Sequence, residues 1–236
     1  MKRMLDRVWL LLVAFSIIVP TSHASMLFVT DLVNGPSTAL PIPGNQDFSG
    51  QLGDDFTVSE PAGIAISRVG VFDSNGDGTT VALIWRLFDV TSGALVQEET
   101  VAPTGVRLPG ASTITSNYVF ESVTPFTIGP GSYSAVAYGF NGSNLNFNTN
   151  FDLANLDVVF SSIGIIGAGG RYSSGTSATL PTDVVGNVLS VNPYNFGAAT
   201  FEFNIPGPTG IFEPASSSIV GLALAAIYTA KRRRQH

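Results

Sequence analysis

The segment Val81-Ala82-Leu83-Ile84-Trp85-Arg86-Leu87-Phe88 is the clearest indication of the architecture of this chain. It is apolar at both alternate sets of positions, and Arg86 is its one charged residue. Because successive side chains of a strand point to opposite faces, such a run predicts a strand that is covered on both faces. We therefore expect a central strand here, with Trp85 as a core anchor.

Short runs rich in Val, Ile, Thr, Phe and Tyr lie on both sides of this segment, separated by Gly, Pro, Asn, Asp and Ser. Such runs at about 10-residue spacing indicate antiparallel strands, and no segment sustains the apolar period of a helix. The sequence predicts an all-β fold, an antiparallel β-sandwich or jelly-roll-like single domain. The expected strands are Met26 to Thr30, Asp55 to Val58, Ile64 to Phe72, Val81 to Val90, Ala94 to Val101, Asn117 to Val123, Tyr133 to Tyr138, Val158 to Ile166 and Thr200 to Ile205.

Two of these runs carry finer predictions. In the run over 64–72 the apolar positions change parity between Ile66 and Val69, which predicts a β-bulge. Near the end of the body, Phe201 and Phe203 alternate with polar residues. That alternation predicts a strand with one buried and one solvated face.

Proline and glycine clusters indicate the connections between strands. Pro41, Pro43 and Gly44 predict a first long loop. The Gly- and Ser-rich run from Gly167 to Ser177 predicts a second, mobile loop. A weak helical pattern covers Phe151 to Asp157.

The N-terminus has the pattern of a secretory signal peptide. Basic residues within the first seven positions precede a 12-residue apolar stretch over 8–19, which is too short to span a bilayer comfortably. Small residues follow at the positions that a signal peptidase reads. We expect cleavage between Ala24 and Ser25, after a signal peptide at 1–24.

The C-terminus carries a second apolar segment. No charge lies between Pro214 and Ala230, and a helix over these 17 residues would reach about 25 Å, close to a hydrocarbon core of about 30 Å. A basic cluster follows, which resists translocation and holds that end on the cytoplasmic side. The pattern predicts a transmembrane segment at 214–230 and a basic stop at 231–234, formed by Lys231, Arg232, Arg233 and Arg234.

Glu213-Pro214, the apolar segment and the basic cluster together resemble the PEP-CTERM sorting signal of Gram-negative bacteria. In that family, an exosortase of the inner membrane is thought to cut at a Pro-Glu-Pro motif and to pass the protein to the cell surface or extracellular matrix. This chain departs from the motif at Phe212, where the family has proline. The resemblance implies the secretion translocon, signal peptidase and exosortase as partners, with a transient stay in the inner membrane. A plain single-pass C-terminal anchor is the alternative, and a buried core helix is disfavoured by its basic end.

These signals divide the chain. Between them lie 189 residues, 25–213, enough for one domain with a sizeable core. The body also resembles the β-rich bodies often fused to such tails, on Gly53 to Val58, Val71 to Gly78 and Tyr194 to Phe201, and this implies a β-sandwich without an assigned activity. The expected parts are a signal peptide at 1–24, a β-sandwich domain at 25–205, a Pro/Gly linker at 206–211 and a sorting tail at 212–236.

The body is acidic and lacks several reactive residue types. From Ser25 to Phe212 it has 15 acids against four arginines and no lysine, a net charge of −11. Nucleic acid, bound mainly through Lys and Arg, is therefore not an expected partner. Cysteine is absent, and both histidines lie outside the body, which excludes Ser-His-Asp, Cys-His, Schiff-base and His-ligated zinc sites. We expect a non-enzymatic protein, with a carboxylate-only glycosidase as the alternative.

A calcium site is the one cofactor hypothesis that the sequence raises. Asp73, Asn75 and Asp77 precede Gly78 and match the opening of an acidic calcium loop. An EF-hand would have glutamate at the twelfth position, which here is Ile84. The same residue types also form plain turns between strands, and both interpretations stay open.

Carbohydrate binding is the second functional hypothesis, with exopolysaccharide as the partner and a calcium-stiffened loop. Tyrosines could stack sugars if several shared a face, although packing in the core is their usual role. Glu98 and Glu99 are neighbours on a predicted strand and point to opposite faces, so they cannot flank one glycosidic bond. The candidate tyrosines are Tyr118, Tyr133, Tyr138, Tyr172 and Tyr194.

Overall fold

A computed structural model of the chain describes residues 25–35, 40–109, 112–151, 155–185 and 194–207. The predicted signal peptide up to Ala24, the motif Phe212-Glu213-Pro214 and the basic stop at 231–234 lie outside these residues. Within the described ranges, no helix is long and apolar enough to cross a membrane.

Short strands account for most of the described chain. The helical elements are one short helix, α1 (Thr113–Asn117), and 3-10 turns at Ser74–Gly76 and Thr149–Phe151. The strands are β1 (Met26–Leu27), β2 (Val29–Asn34), β3 (Gln51–Val58), β4 (Ile64–Phe72), β5 (Leu83–Asp89), β6 (Leu95–Val101), β7 (Tyr118–Ile128), β8 (Gly131–Tyr138), β9 (Leu156–Phe160), β10 (Ile165–Ser173), β11 (Asp183–Val185) and β12 (Ala199–Asn204).

These strands form antiparallel sheets. A four-stranded sheet has the order β1-β12-β4-β7, and a six-stranded sheet has the order β11-β10-β3-β8-β5-β6. Strands β2 and β9 form a separate antiparallel pair. The prediction of an all-β antiparallel fold is confirmed.

Aromatic side chains fill the space between the two larger sheets. Phe201, on β12 of the four-stranded sheet, has its ring centroid 5.3 Å from that of Phe56 on β3 and 6.4 Å from that of Trp85 on β5. Phe28, between β1 and β2, stacks on Phe201 with centroids 4.8 Å apart. All four side chains are buried, so this cluster joins the sheets face to face.

The apolar segment over 81–88 becomes β5, as predicted. Trp85 is fully buried, and β5 has a paired strand on each side, β8 and β6. The strand is interior, although it lies second from the edge of its sheet.

The finer strand predictions are also confirmed. The register between β4 and β7 shifts between Ile66 and Arg68, where a bulge was expected. On β12, Phe201 and Phe203 are buried, whereas Glu202 is partly exposed.

The predicted strand over 158–166 is interrupted, and the predicted loop over 167–177 is wrong over 167–173, which are part of a strand. Residues 156–160 and 165–173 form two separate strands, β9 and β10, and they belong to different sheets. Gly170 explains the error: a Cβ atom there would lie 2.4 Å from the carbonyl oxygen of Tyr194 and 2.8 Å from the Phe196 ring. The glycine is needed for close packing within a strand, and not for a flexible loop.

Other predicted boundaries also change. The run from Met26 to Thr30 is split between β1 and β2, and strands β3, β7 and β8 extend beyond their predicted limits. Part of the segment over 151–157 lies outside the described residues, and its end at Leu156 and Asp157 belongs to β9 and is not helical.

A strap, residues 174–181, crosses the outer face of the six-stranded sheet. Arg86 donates to the carbonyl oxygens of Thr176 and Ser177, each at 2.9 Å, and Arg171 donates to that of Pro181 at 2.9 Å. Both arginines are buried. They also meet carboxylates, Arg86 through Nε to Glu98 at 2.6 Å and Arg171 through a forked pair with Asp55.

The two ends of the body lie side by side. Met26 on β1 pairs with Phe203 on β12, and a largely apolar groove of about 410 Å³ is lined there by Met26, Pro61, Ile205 and Pro206. This groove lies beyond the C-terminal end of β3, where the chain continues into the predicted linker.

Candidate ligand-binding pocket

A pocket of about 230 Å³ opens beyond the N-terminal end of β3. It is built from five segments far apart in the chain: the start of β3 with the loop before it, residues 148–150, the end of β10, the end of β11 and the segment before β12. Three amide side chains and four aromatic rings account for most of its lining. The amides are Gln46, Asn148 and Asn150, and the aromatics are Phe48, Tyr172, Tyr194 and Phe196.

The hydrogen bonds around Gln46 fix the orientation of its amide. Its Oε1 accepts from Nδ2 of Asn146 at 2.8 Å and from Nδ2 of Asn148 at 2.9 Å. A carbonyl oxygen has two lone pairs, so both are occupied. The Nε2 group of Gln46 then has no protein partner among the described residues, and it is presented as a hydrogen-bond donor.

Asn148 is held on several sides. Its backbone N–H donates to Oδ1 of Asn45 at 2.9 Å, and its carbonyl oxygen accepts from Nδ2 of the same residue at 2.9 Å. Its own Oδ1 accepts from the backbone N–H of Asn150 at 2.8 Å. The amide wall of the pocket is therefore arranged in advance by other side chains.

The aromatic wall is also ordered by contacts within it. The ring of Tyr172 meets Phe48 at 6.1 Å and Phe196 at 6.2 Å between centroids, both close to edge-on. Tyr194 makes no ring contact with another aromatic of the described chain, and its ring is partly exposed. Tyr194 is therefore the one pocket aromatic of the described chain that is not packed against another ring.

Asp54 holds the segment that carries Tyr194 and Phe196. Its two carboxyl oxygens accept from the backbone N–H groups of Phe196 at 3.0 Å and Gly197 at 2.9 Å. Gly197 has φ of +53°, a conformation that favours glycine, and its carbonyl oxygen accepts from the hydroxyl of Tyr118. Both backbone polar groups of Gly197 are therefore satisfied by buried side chains.

Burial raises the pKa of Asp54 to about 7, although the two backbone N–H donors act in the opposite direction. A carboxyl with such a pKa is a candidate for catalysis in general. Here both oxygens are used by the backbone, and Asp54 is fully buried and does not line the pocket. Its role is to position the pocket wall.

The structure separates the five candidate tyrosines. Tyr172 and Tyr194 lie together in the pocket, as the sugar-stacking hypothesis requires. Tyr118 and Tyr133 are buried, and Tyr138 lies under the guanidinium of Arg86 at 4.4 Å from its ring centroid. The last three stabilise the fold.

The candidate calcium residues differ in their burial and contacts. Asp73 is buried, and its carboxylate contacts Arg107 and accepts from the backbone N–H of Gly78 at 3.0 Å. Asn75 and Asp77 are exposed. These contacts favour the plain turn, and calcium binding by this turn stays a prediction. No cluster of three or more acidic or histidine side chains suited to a metal occurs in the described ranges.

The carboxylates considered for glycoside cleavage are engaged elsewhere. Glu98 pairs with Arg86 on the outer face of the six-stranded sheet. Glu99 accepts from Nε2 of Gln97 at 2.6 Å. Neither lines the pocket.

Sequence reasoning missed the amide wall. The signal was the alternation of asparagine at Asn144, Asn146, Asn148 and Asn150, which puts amides at every second position. In the structure the first three are buried and hydrogen-bonded. Alternate buried amides of this kind indicate a built polar network, because buried amides need partners.

No protein-family model matches this chain, and no curated protein matches it either. The chemistry of the pocket therefore has to be inferred from its residues. The described lining has uncharged amides, aromatic rings and two tyrosine hydroxyls, with no carboxylate, guanidinium or ammonium group. Such a site suits reversible binding of an uncharged polar ligand.

Proposed function

We propose that this chain is an exported, non-enzymatic protein of the cell surface or extracellular matrix, sorted by an exosortase-type system through its C-terminal tail. The observation that carries the proposal is the order Glu213-Pro214, apolar segment, basic stop. The signal peptide before Ser25 directs the chain to the export pathway. The body is proposed to be a β-sandwich with jelly-roll-like strand connections. Its partners are the translocon, signal peptidase, exosortase and, while the tail is intact, the inner membrane.

The body has features suited to this role. Its net charge of −11 keeps it soluble outside the cell and away from nucleic acid. Each of its four arginines contacts a carboxylate, so the described body has no arginine without an acidic partner. Strand β12, the last strand before the predicted linker, pairs with β1, the first strand of the body, so both described ends of the body lie together.

Intact-mass measurement of the mature protein is the test of sorting. We expect a chain that begins at Ser25 and ends near Glu213, because both processing sites flank the body. A mass that still includes Lys231 to His236 would instead identify a plain membrane anchor. A Phe212→Pro variant, which restores the family motif, is expected to be processed at least as completely as the natural sequence.

A second candidate function is carbohydrate binding by the body. It is favoured by the pocket, in which amides and aromatic rings converge on a space of about 230 Å³. Planar amides match pairs of sugar hydroxyls, and aromatic rings match the C–H faces of sugar rings.

A polysaccharide array probed with the mature protein tests this second function. We expect signals on a subset of neutral polysaccharides, and we expect them to persist in a calcium chelator, since no carboxylate lines the described pocket. Loss of the signals on chelation would support the calcium prediction for Asp73, Asn75 and Asp77. If the protein binds no polysaccharide on the array, the carbohydrate-binding function is rejected. The sorting proposal is not affected by that result, because the intact-mass measurement tests it separately.

A further inference from the structure

We propose that the pocket binds one uncharged pyranose unit, at the end or on a side branch of a glycan, and discriminates against acidic sugars. This deepens the second candidate function and rests on it. The inference names the class of ligand from the size, hydrogen-bonding groups and charge of the pocket.

The size of the pocket limits the ligand to a small unit. Ligand pockets for drug-sized molecules have volumes of about 300 to 1,000 Å³, and this pocket has about 230 Å³. One sugar ring can enter such a space, whereas a buried stretch of several rings cannot. The chain of the glycan then continues outside the pocket.

The free hydrogen-bonding groups match sugar hydroxyls. Gln46 presents Nε2 as a donor, because Asn146 and Asn148 occupy its oxygen. The side-chain amide of Asn150 and the hydroxyl of Tyr194 have no protein partner among the described residues. A hydroxyl group both donates and accepts hydrogen bonds. Neighbouring sugar hydroxyls can therefore bond with the amide groups of Gln46 and Asn150 and with the hydroxyl of Tyr194.

The aromatic wall supplies the apolar part of the contact. Tyr172 already has Phe48 and Phe196 against it, whereas the Tyr194 ring has no aromatic neighbour in the described chain. The C–H face of a pyranose carries slight positive charge and can lie on the negative face of such a ring. Tyr194 is therefore the stacking platform, and Asp54 fixes the backbone that follows it.

The electrostatics exclude an acidic ligand. No cationic side chain lines the described pocket, and the body carries a net charge of −11. A uronate or a sulfated sugar would lose water without gaining a counter-charge. A neutral hexose or N-acetylhexosamine carries no charge, so it does not incur this desolvation cost.

Titration calorimetry on the mature protein tests the inference, with the methyl glycosides of glucose, galactose and N-acetylglucosamine as neutral probes and glucuronate as the acidic probe. We expect at least one neutral glycoside to bind and glucuronate to bind at least 10-fold more weakly. Tyr194→Ala and Asn150→Ala are expected to weaken binding of the neutral probe at least 10-fold and 3-fold, and Gln46→Leu at least 10-fold. Gln97→Leu, on the distant strand β6, is the matched control and should leave binding unchanged.

Three results would overturn the inference: equal binding of glucuronate, binding that Tyr194→Ala and Asn150→Ala leave unchanged, or no binding of any neutral probe. Asn150 and Tyr194 are at least partly exposed, so their variants should fold even if Gln46→Leu does not. Binding of acidic glycans, or of any glycan away from the pocket, would reject the inference and keep carbohydrate binding. If the protein binds no glycan, both the inference and the carbohydrate-binding function are rejected.

Discussion

Replacing Arg86 with methionine is expected to lower the free energy of unfolding by about 2 to 5 kcal/mol and to free the strap over 174–181. The variant keeps the apolar stem and removes a buried guanidinium that holds the carbonyl oxygens of Thr176 and Ser177. It also leaves Oε1 of Gln51, which accepts from Arg86 at 2.9 Å, buried without that donor. Denaturant titration gives the loss of stability, and limited proteolysis with mass mapping detects cleavage within the strap.

Arg68→Met is the matched control for Arg86. The side chain of Arg68 is 41% exposed and that of Arg86 is 5% exposed, although both pair with a glutamate. Arg68 itself is largely solvated, although Glu202 is only 16% exposed, so the control should lose about 1 kcal/mol and less than Arg86→Met does. Equal costs for the two variants, with no new cleavage in the strap, would contradict the role given to Arg86.

Replacing Asp54 with asparagine is expected to remove a pH dependence of stability. Burial raises the pKa of Asp54 to about 7 in the folded protein, against about 3.8 for an aspartate in solvent. The folded state therefore binds more protons than the unfolded state between these values. The stability from the neutral carboxyl is fully present below about pH 4 and is lost as pH rises through 7, at up to about 1.4 kcal/mol per pH unit.

The Asp54→Asn variant titrates no group at this position. At pH 5 we expect it to be less stable than the natural protein by about 1 to 3 kcal/mol, because its amide NH₂ faces one of two buried backbone donors. By pH 8 this deficit should shrink or vanish, since the natural protein then buries a charge. Melting curves at several pH values measure the difference, with Asp183→Asn on β11 as an exposed control. A deficit that grows with pH would show that the ionised carboxylate is the form the fold stabilises.

Local patterns in the sequence predict local structure well in this chain. The apolar run over 81–88 predicted a buried interior strand, and the change of parity near Ile66 predicted the bulge in β4. The alternation around Phe201 predicted that Phe201 and Phe203 are buried and that Glu202 between them is less so. Each of these features depends on residues within one strand, where the side-chain period is two.

Features that depend on distant partners could not be predicted. Asp54 meets Phe196 across 142 positions, and Arg171 meets Asp55 across 116. The pocket draws on five separate segments, so Tyr172 and Tyr194 could be named as candidates but not placed together. Glycine adds a further ambiguity, because Gly170 permits close packing within a strand while its sequence context is typical of a loop.

The pairing of β1 with β12 places the first and last strands of the domain side by side. The polypeptide enters and leaves the fold at one pole, beyond the C-terminal end of β3, and the pocket opens at the opposite pole. The eight residues of β3 separate the two poles by about 26 Å. If the proposed tail attaches the body through its C-terminus, the pocket lies at the far end of β3 from that attachment, so attachment and the proposed ligand binding would use different ends of the domain.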